Sequence, residues 1–416
     1  MAEHFDPLET RDPEEREHAL IAALPLQIAH AKQHAPGFAR ILQDVDPQAV
    51  TSRAALASLP VTRKSDLKAL QRAAPPLGGL NAAPVPKLAK LFVSPGQIYE
   101  PEGHAKDWWR LARGLFAAGF RAGDLVVNTF AYHFTPAGSM LESGALALGC
   151  TMVPTGVGQT EMQIATIADL RVNGYIGTPS FLKVIVEKAD ELNADISSLR
   201  KAMVGAEYLP PALREALRAR GMRVLQMYAT ADLGLIAYES VMPDGAATPG
   251  MIADESLVLE IVRPGTGDPV PEGEVGEVVV TTFNPDYPLV RFGTGDLSAV
   301  LPGRSPCGRT NTRIKGWMGR ADQTTKVKGM FVHPAQVAEV ARRHAEIAKT
   351  RLVVDQSGGQ DRMTLKCEVA AGGEALAKAI VETIRDVTKL RGEVAFVRPG
   401  TLPNDGKVIE DARKYE

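Results

Sequence analysis

The hydrophobic pattern of this chain changes period three times. Leu20, Leu24, Ile28 and Ala31 recur at helical spacing behind Pro13 and the acidic pair Glu14-Glu15. That spacing predicts a helix over residues 13–43 with a break at Pro36-Gly37. Short apolar runs then alternate with helical patterns. The reading is an apolar segment from Leu88 to Val93, an amphipathic helix over 108–124, a strand over 125–130, and a turn leading into a helix. A strand over 151–156, a helix over 159–172 and a further strand–helix pair follow. Strands and helices in this alternation predict a parallel sheet with helices on both faces, whose ligands sit beyond the carboxyl ends of the strands. The loops at His133-Phe134-Thr135, Thr155-Gly156 and Thr178-Pro179 would line that crevice. Residues 256–300 switch to strict alternation around two Gly/Pro turns and read as all-β. Beyond Gly319 come a strand pair, a helix, a hairpin, a second helix and a strand, the order of a small α+β domain. The expected organisation is a large α/β domain over 1–318, with parallel sheets, helices and a β-rich subdomain, and a small α+β domain over 319–416.

Composition narrows the function classes. At 416 residues the chain exceeds one ordinary core, and 45% hydrophobic with 23% charged residues is the balance of a globular protein. A net charge of −2 supplies no general attraction to nucleic acid or to an anionic membrane. No apolar run reaches the ~18 residues a membrane span requires, and the N-terminus lacks the apolar stretch of a signal peptide. Three cysteines without a CxxC pair argue against a disulfide framework and for a reducing cytoplasm. From Gly319 onward 17 Lys and Arg face 14 Asp and Glu, a mildly basic balance that suits a phosphate-bearing ligand.

Two Gly-rich segments carry the clearest chemistry. In the first, Arg291 precedes a turn at Gly293-Thr294-Gly295, and Asp296 follows. In the second, Gly319 precedes Arg320 and Asp322, and Lys326-Val327-Lys328 leads to Gly329. Glycine lets the backbone approach a ligand closely, and a carboxylate just beyond accepts hydrogen bonds from ligand hydroxyls. Taken singly, a GxGD turn also closes ordinary hairpins. Upstream, two strands run into loops with small residues and an acid: Gly205-Ala206-Glu207, and Tyr228-Ala229-Thr230-Ala231-Asp232. A tyrosine at a strand end can stack on a flat base or be plain core, and an acid four residues on can reach Mg²⁺ bridging phosphates. His30 and His34 share a helix face without a third ligand nearby and read as surface.

GAE, YATAD, the FGTGD–GRAD pair and a near-terminal GK occur in one order along the chain. This set resembles the adenylate-forming enzymes, the acyl-CoA synthetase and luciferase group, over nearly all residues from about 90 onward. MYATADLGLIAYE, the FT of AYHFTPAG, TGVGQTEMQ and VHPAQVAEV look most like the phenylacetate–CoA ligase branch. The resemblance implies that Tyr228 stacks on adenine, with Gly205, Ala206 and Glu207 beside it and Ala229 in the same nucleotide site; Ala231 replaces the usual Ser/Thr at the α-phosphate, with Thr230 next to it to compensate. Asp232 matches a glutamate linked to Mg²⁺, one methylene shorter, and Asp296 matches the acid that holds the ribose hydroxyls. Arg320 would sit near the phosphate and Asp322 would be the hinge of a mobile small domain. Gly329 would line the CoA tunnel, and Lys407 would contact the carboxylate and α-phosphate during adenylation. Phe134, with Tyr132 and His133, falls at an aromatic acid pocket.

Two departures from the family pattern stand out. Where the family has a Ser/Thr/Gly-rich phosphate loop ending in Gly-Lys, only Ser94 and Gly96 fit, and Glu100 and Glu102 replace the rest. Cys307 lies in a loop that carries a second cysteine and a histidine in some relatives; Ser305 and Asn311 stand there instead, so no structural zinc is expected. The implied activity is an AMP-forming acid–CoA ligase acting on an aromatic or arylacetic acid with ATP, Mg²⁺ and CoA. Acyl transfer to an amine or carrier protein, and a non-catalytic nucleotide-binding relative, are the alternatives. The resemblance also allows a homodimer.

Overall fold

The structure is a computed structural model that describes residues 4–94, 96–242, 244–321, 325–327, 330–332, 334–357, 360–403 and 407–413. The chain divides into two compact units, Met1–Met318 and Gly319–Glu416.

The large unit opens on the helix Pro13–His34, whose first turn is capped by Asp12 accepting from the N–H groups of Glu14 and Glu15. A second helix, Pro36–Ile41, follows after one residue. Ala35, forced out of helical conformation by the proline after it (φ −112°, ψ 102°), makes the break.

A nine-stranded sheet forms the middle of the unit. In spatial order its parallel part runs Thr151–Pro154, Leu125–Asn128, Gly174–Gly177, Lys201–Val204 and Arg223–Thr230. From there it continues antiparallel through Gly234–Tyr238, Met251–Ala253, Arg313–Ile314 and Val300–Leu301. Side chains of period two feed two separate cores. Val127, Tyr175, Ala202 and Val224 pack beneath the helices Thr160–Leu170, Pro179–Glu191 and Pro211–Ala219. Val126, Ile176, Met203 and Leu225 join the other core, with Leu111 and Leu115 and with Met140 and Leu141 of the helix Ala137–Ala147.

Two elements differ from their predicted form. The helix expected over 108–124 is confined to Leu111–Ala117, and nearly all its residues are buried. Arg110 takes a left-handed conformation (φ 62°) so that its guanidinium reaches Asp254 and the carbonyls of Leu233 and Leu235. Asp107 then starts the helix by accepting the N–H of Ala112. The Gly293-Thr294-Gly295 segment is no turn but part of the strand Phe292–Ser298. That strand belongs to a separate four-stranded sheet with Leu257–Val262, Gly276–Thr282 and Thr62–Arg63. Pairing with Gly276–Thr282 shifts register between Glu277 and Val279, and Gly295 supplies the positive φ of 75° at this bulge.

In the small unit the hairpin Ile347–Ser357/Gln360–Val369 is flanked by two parallel strands, Ile409–Asp411 and Glu393–Val397. Val337 and Val340 of the helix Pro334–Arg342, and Ile380 and Ile384 of Glu374–Thr388, pack on Leu352, Val354, Leu365 and Cys367. A two-stranded ribbon, Thr325–Val327 with Met330–Val332, stands apart from that sheet. Among the described residues no helix is long and apolar enough to cross a membrane.

Candidate active site

The parallel strands Lys201–Val204 and Arg223–Thr230 are neighbours, and their carboxyl ends open on a cavity of about 220 Å³. Ala206, Glu207 and Tyr208 line it from one strand end, Gln226 to Ala229 from the other, with Met251, Asp296 and Trp317 completing the wall. Gly205 allows the approach: a Cβ there would fall 2.9 Å from Met227 Cε. Tyr228 is buried, and its hydroxyl donates to Asp296 Oδ2 (2.9 Å). The indole N–H of Trp317 donates to Oδ1 of the same carboxylate (3.1 Å). Behind it, Thr294 Oγ1 accepts the Asp296 N–H (3.1 Å) and donates to the Val278 carbonyl (3.0 Å). Asp296 is thus held in one orientation at the cavity wall.

A second cluster surrounds Asp232, in the tight connection between Arg223–Thr230 and Gly234–Tyr238. Thr230 Oγ1 accepts the Leu233 N–H (3.2 Å) and shapes this turn. Asp232 Oδ2 lies 2.5 Å from Lys64 Nζ, and Oδ1 is buried with no hydrogen-bond partner among the described residues. Lys64 directly follows the strand Thr62–Arg63, which runs parallel to Phe292–Ser298 with Arg63 opposite Gly293. The third member is Glu100, from the hairpin Lys90–Ser94/Ile98–Glu102. Glu100 is fully buried and accepts the Ser94 hydroxyl (2.5 Å), while its Oε2 has no partner among the described residues.

The electrostatics follow from this burial. Burial and the neighbouring Asp232 charge push the Glu100 carboxyl up to about 8, against the Ser94 hydrogen bond and Lys64. Burial pulls the Lys64 ammonium down, but the carboxyl groups of Asp232, Glu100 and Asp296 outweigh it and raise it. The Tyr287 hydroxyl is buried, and burial with the Asp232 and Glu100 charges drives its pKa well up.

The remaining candidates fall in several places. Tyr132 is partly buried and accepts from Asn128 Nδ2 (2.9 Å), whereas His133 is exposed and Phe134 is 74% exposed. The Phe134 carbonyl accepts the Val93 N–H (2.7 Å), tying this loop to the hairpin of Glu100. Gly96 sits in that hairpin's turn at φ 97°. Arg291 is a scaffold residue: fully buried, it pairs with Glu260 (3.0 Å) and donates to the carbonyls of Ala57, Leu59 and Gly267. Asn311 donates to the carbonyls of Ala253 and Asp254.

In the small unit Arg320 is partly exposed, and Asp322 and Gly329 lie outside the described residues. Lys407 is exposed just before the strand Ile409–Asp411. Upstream of it, Leu402 and Pro403 are held through their backbone. Lys349 Nζ donates to the carbonyls of Leu402 (3.1 Å) and Pro403 (2.9 Å), and Arg351 to that of Pro403 (3.2 Å). Glu368 accepts the Leu402 N–H (2.6 Å). N–H groups of Gly400, Leu402 and Thr401 hold its carboxyl below the ordinary value.

Lys64 and Trp317 escaped the sequence reading. Trp317 carried a signal, lying three residues before Arg320 in KGWMGR, but Lys64 sits in an unremarkable PVTRKSDL.

Comparison with known proteins defines the class first. The AMP-binding enzyme family matches residues 105–284, and the AMP-binding enzyme C-terminal domain matches 329–412. The chain belongs to the adenylate-forming, AMP-binding enzymes. Within them it falls in the phenylacetate–CoA ligase branch. It is 30% identical to the phenylacetate-coenzyme A ligase of Aromatoleum evansii, covering 95% of this chain and 93% of the relative. The enzyme of the same name from Thermus thermophilus is 31% identical, with 88% and 86% covered. That of Escherichia coli is 28% identical, with 97% and 96% covered. Among solved structures, 2-hydroxyisobutyryl-CoA ligase shares the fold at a TM-score of 0.72 and 23% identity, covering 98% of this chain and 92% of that one.

Proposed function

We propose that this chain is an ATP-dependent, AMP-forming ligase that activates an aromatic or arylacetic carboxylic acid and transfers the acyl group to coenzyme A. The observation that carries the assignment is the Asp296 carboxylate, fixed by Tyr228 and Trp317 at the wall of the strand-end cavity. A carboxylate so oriented suits the two hydroxyls of a ribose, and the Tyr228 ring and the Gly205-Ala206-Glu207 backbone suit a flat purine. Ala229 then lines the nucleotide site, and Thr230 lies toward the α-phosphate.

A free carboxylate is a poor acyl donor. Its oxygen attacks the α-phosphorus of ATP, the bond to the bridging oxygen breaks, and pyrophosphate leaves with the electron pair. The mixed anhydride that remains is attacked by the CoA thiol; the thioester forms, AMP departs, and the thiol proton passes to solvent. Lys407 and Arg320 offset charge on the carboxylate and α-phosphate as the first bond forms. The buried, unpartnered Oδ1 of Asp232 fits a divalent cation. Mg²⁺ held there would supply charge neutralisation at the phosphates. Asp322 serves as the hinge between the half-reactions, Gly329 as the place where the pantetheine arm passes, and Tyr132, His133 and Phe134 as the acid-binding loop. The reducing cytoplasm is the compartment that suits this chemistry and three unpaired cysteines.

ATP–pyrophosphate exchange across a panel of carboxylic acids tests the proposal, followed by CoA consumption on each active acid. Exchange is expected with arylacetic or aromatic acids, together with CoA use. Exchange without CoA use would replace the acceptor by an amine or carrier protein, and no exchange with any acid would remove the catalytic assignment.

A further inference from the structure

We propose that Lys64 is the cation that receives the β- and γ-phosphates of the nucleotide, an inference that rests on the ligase assignment above. The hairpin turn over 94–98 offers one serine, one glycine and no basic residue, with Glu100 and Glu102 directly behind it. A polyphosphate brought to that hairpin needs a cation from elsewhere, and the fold brings one from residues 62–64.

Three observations place Lys64 there. The strand Thr62–Arg63 lies parallel to Phe292–Ser298, with the Thr62 N–H donating to the Arg291 carbonyl (3.0 Å) and Arg63 opposite Gly293. Lys64 therefore emerges beside the strand that carries Asp296. Its ammonium lies 2.5 Å from Asp232 Oδ2. Its side chain is 24% exposed, whereas that of Asp232 is fully buried, so within this pair the ammonium is the group open to a phosphate. An ammonium has three donors, and among the described residues Asp232 is the one acceptor in hydrogen-bond range.

The charge balance points the same way. Asp232, Glu100 and Asp296 all act electrostatically on Lys64. Neighbouring basic side chains are committed: Arg63 is paired with Glu277, and Arg291 is buried against Glu260. Without Lys64 this corner would present carboxyl groups to a polyanion. With it, the nucleoside end meets Tyr228 and Asp296, and the phosphate end meets an ammonium whose position Asp232 sets. Lys64 thereby takes the place of a lysine in the hairpin turn.

Calorimetry with ATP and with AMP separates this role from simple neutralisation of Asp232. Lys64→Gln keeps a donor for Asp232 but loses the charge. It should weaken ATP binding by about 10–100-fold, the range for a hydrogen bond to a charged group, and leave AMP binding within about twofold. Lys64→Arg should restore most of the ATP affinity. Equal weakening of both nucleotides, or of neither, would overturn the proposal. The wild-type protein supplies a test free of folding effects: ATP, and not AMP, should shield Lys64 from an amine-acetylating reagent, read by mass spectrometry. Equal protection by the two nucleotides would also overturn it. Wild-type protein that binds neither nucleotide would instead remove the ligase assignment itself.

Discussion

The buried charges around the cavity and β-rich sheet of the large unit and the exposed Lys407 of the small unit are held in opposite ways. In the large unit Arg291, Glu260, Asp232, Glu100 and Asp296 are all buried; Glu100 is held by Ser94 of its own hairpin, and the other four are oriented by partners from distant parts of the chain. In the small unit Lys407 is exposed, and what is fixed is the backbone at Leu402 and Pro403, through Lys349, Arg351 and Glu368. The difference is one of cost. A buried charge is held firmly but leaves an expensive unpaired partner when one member is lost, whereas an exposed ammonium can be removed with little effect on folding. Removing a charge should therefore cost stability at these buried sites of the large unit and spare it at Lys407.

The sharpest way to break that comparison is Arg291→Met. It strands Glu260 and three backbone carbonyls, so unfolding free energy should fall by about 3–5 kcal/mol in denaturant titration, with nucleotide affinity of the remaining folded protein unchanged. A variant as stable as the parent would show that the buried pair does not hold the β-rich sheet. Next in size is Lys407→Ala, expected to slow acyl-adenylate formation by about 10²–10³ with an unaltered melting temperature. Thioester formation from pre-made acyl-AMP and CoA should be spared. A wild-type adenylation rate in this variant would exclude Lys407 from the chemistry.

Asp296→Ala lies between the two extremes, because its carboxylate is buried yet faces the cavity. Loss of hydrogen bonds to a charged acceptor predicts an ATP dissociation constant raised roughly tenfold or more. Unchanged affinity in calorimetry would make Asp296 a structural partner of Tyr228 and Trp317 alone.

The last test reads a slope. Glu100 titrates at about 8 in the folded protein against an ordinary 4.5, so between these values the folded state keeps a proton that the unfolded chain has released. Its contribution is complete below the ordinary value and is lost as pH rises through about 8, at up to ~1.4 kcal/mol per pH unit. Glu100→Gln should flatten that stretch of the stability curve, and Lys407→Ala should leave it intact. An unchanged slope in Glu100→Gln would assign the titration to another group.

Local information was legible in the sequence. Hydrophobic period marked the alternating strands and helices, Pro36 ended a helix, and the order of elements after Gly319 described the small α+β fold. Tyr228 and Asp296 could be singled out because each stands in a short run of small residues. What local pattern could not reveal was which strands pair. The two residues Thr62–Arg63 are too few to show any period, yet their pairing with Phe292–Ser298 delivers Lys64 to Asp232, 168 residues away in sequence. The same sheet turned GTGD from an expected turn into a bulged strand, and it took Arg291 out of the candidate chemistry by burying it against Glu260. Periodicity reports which face of an element is apolar. Only tertiary pairing decides which charges meet behind it, because a buried charge is tolerated solely where the fold brings its partner.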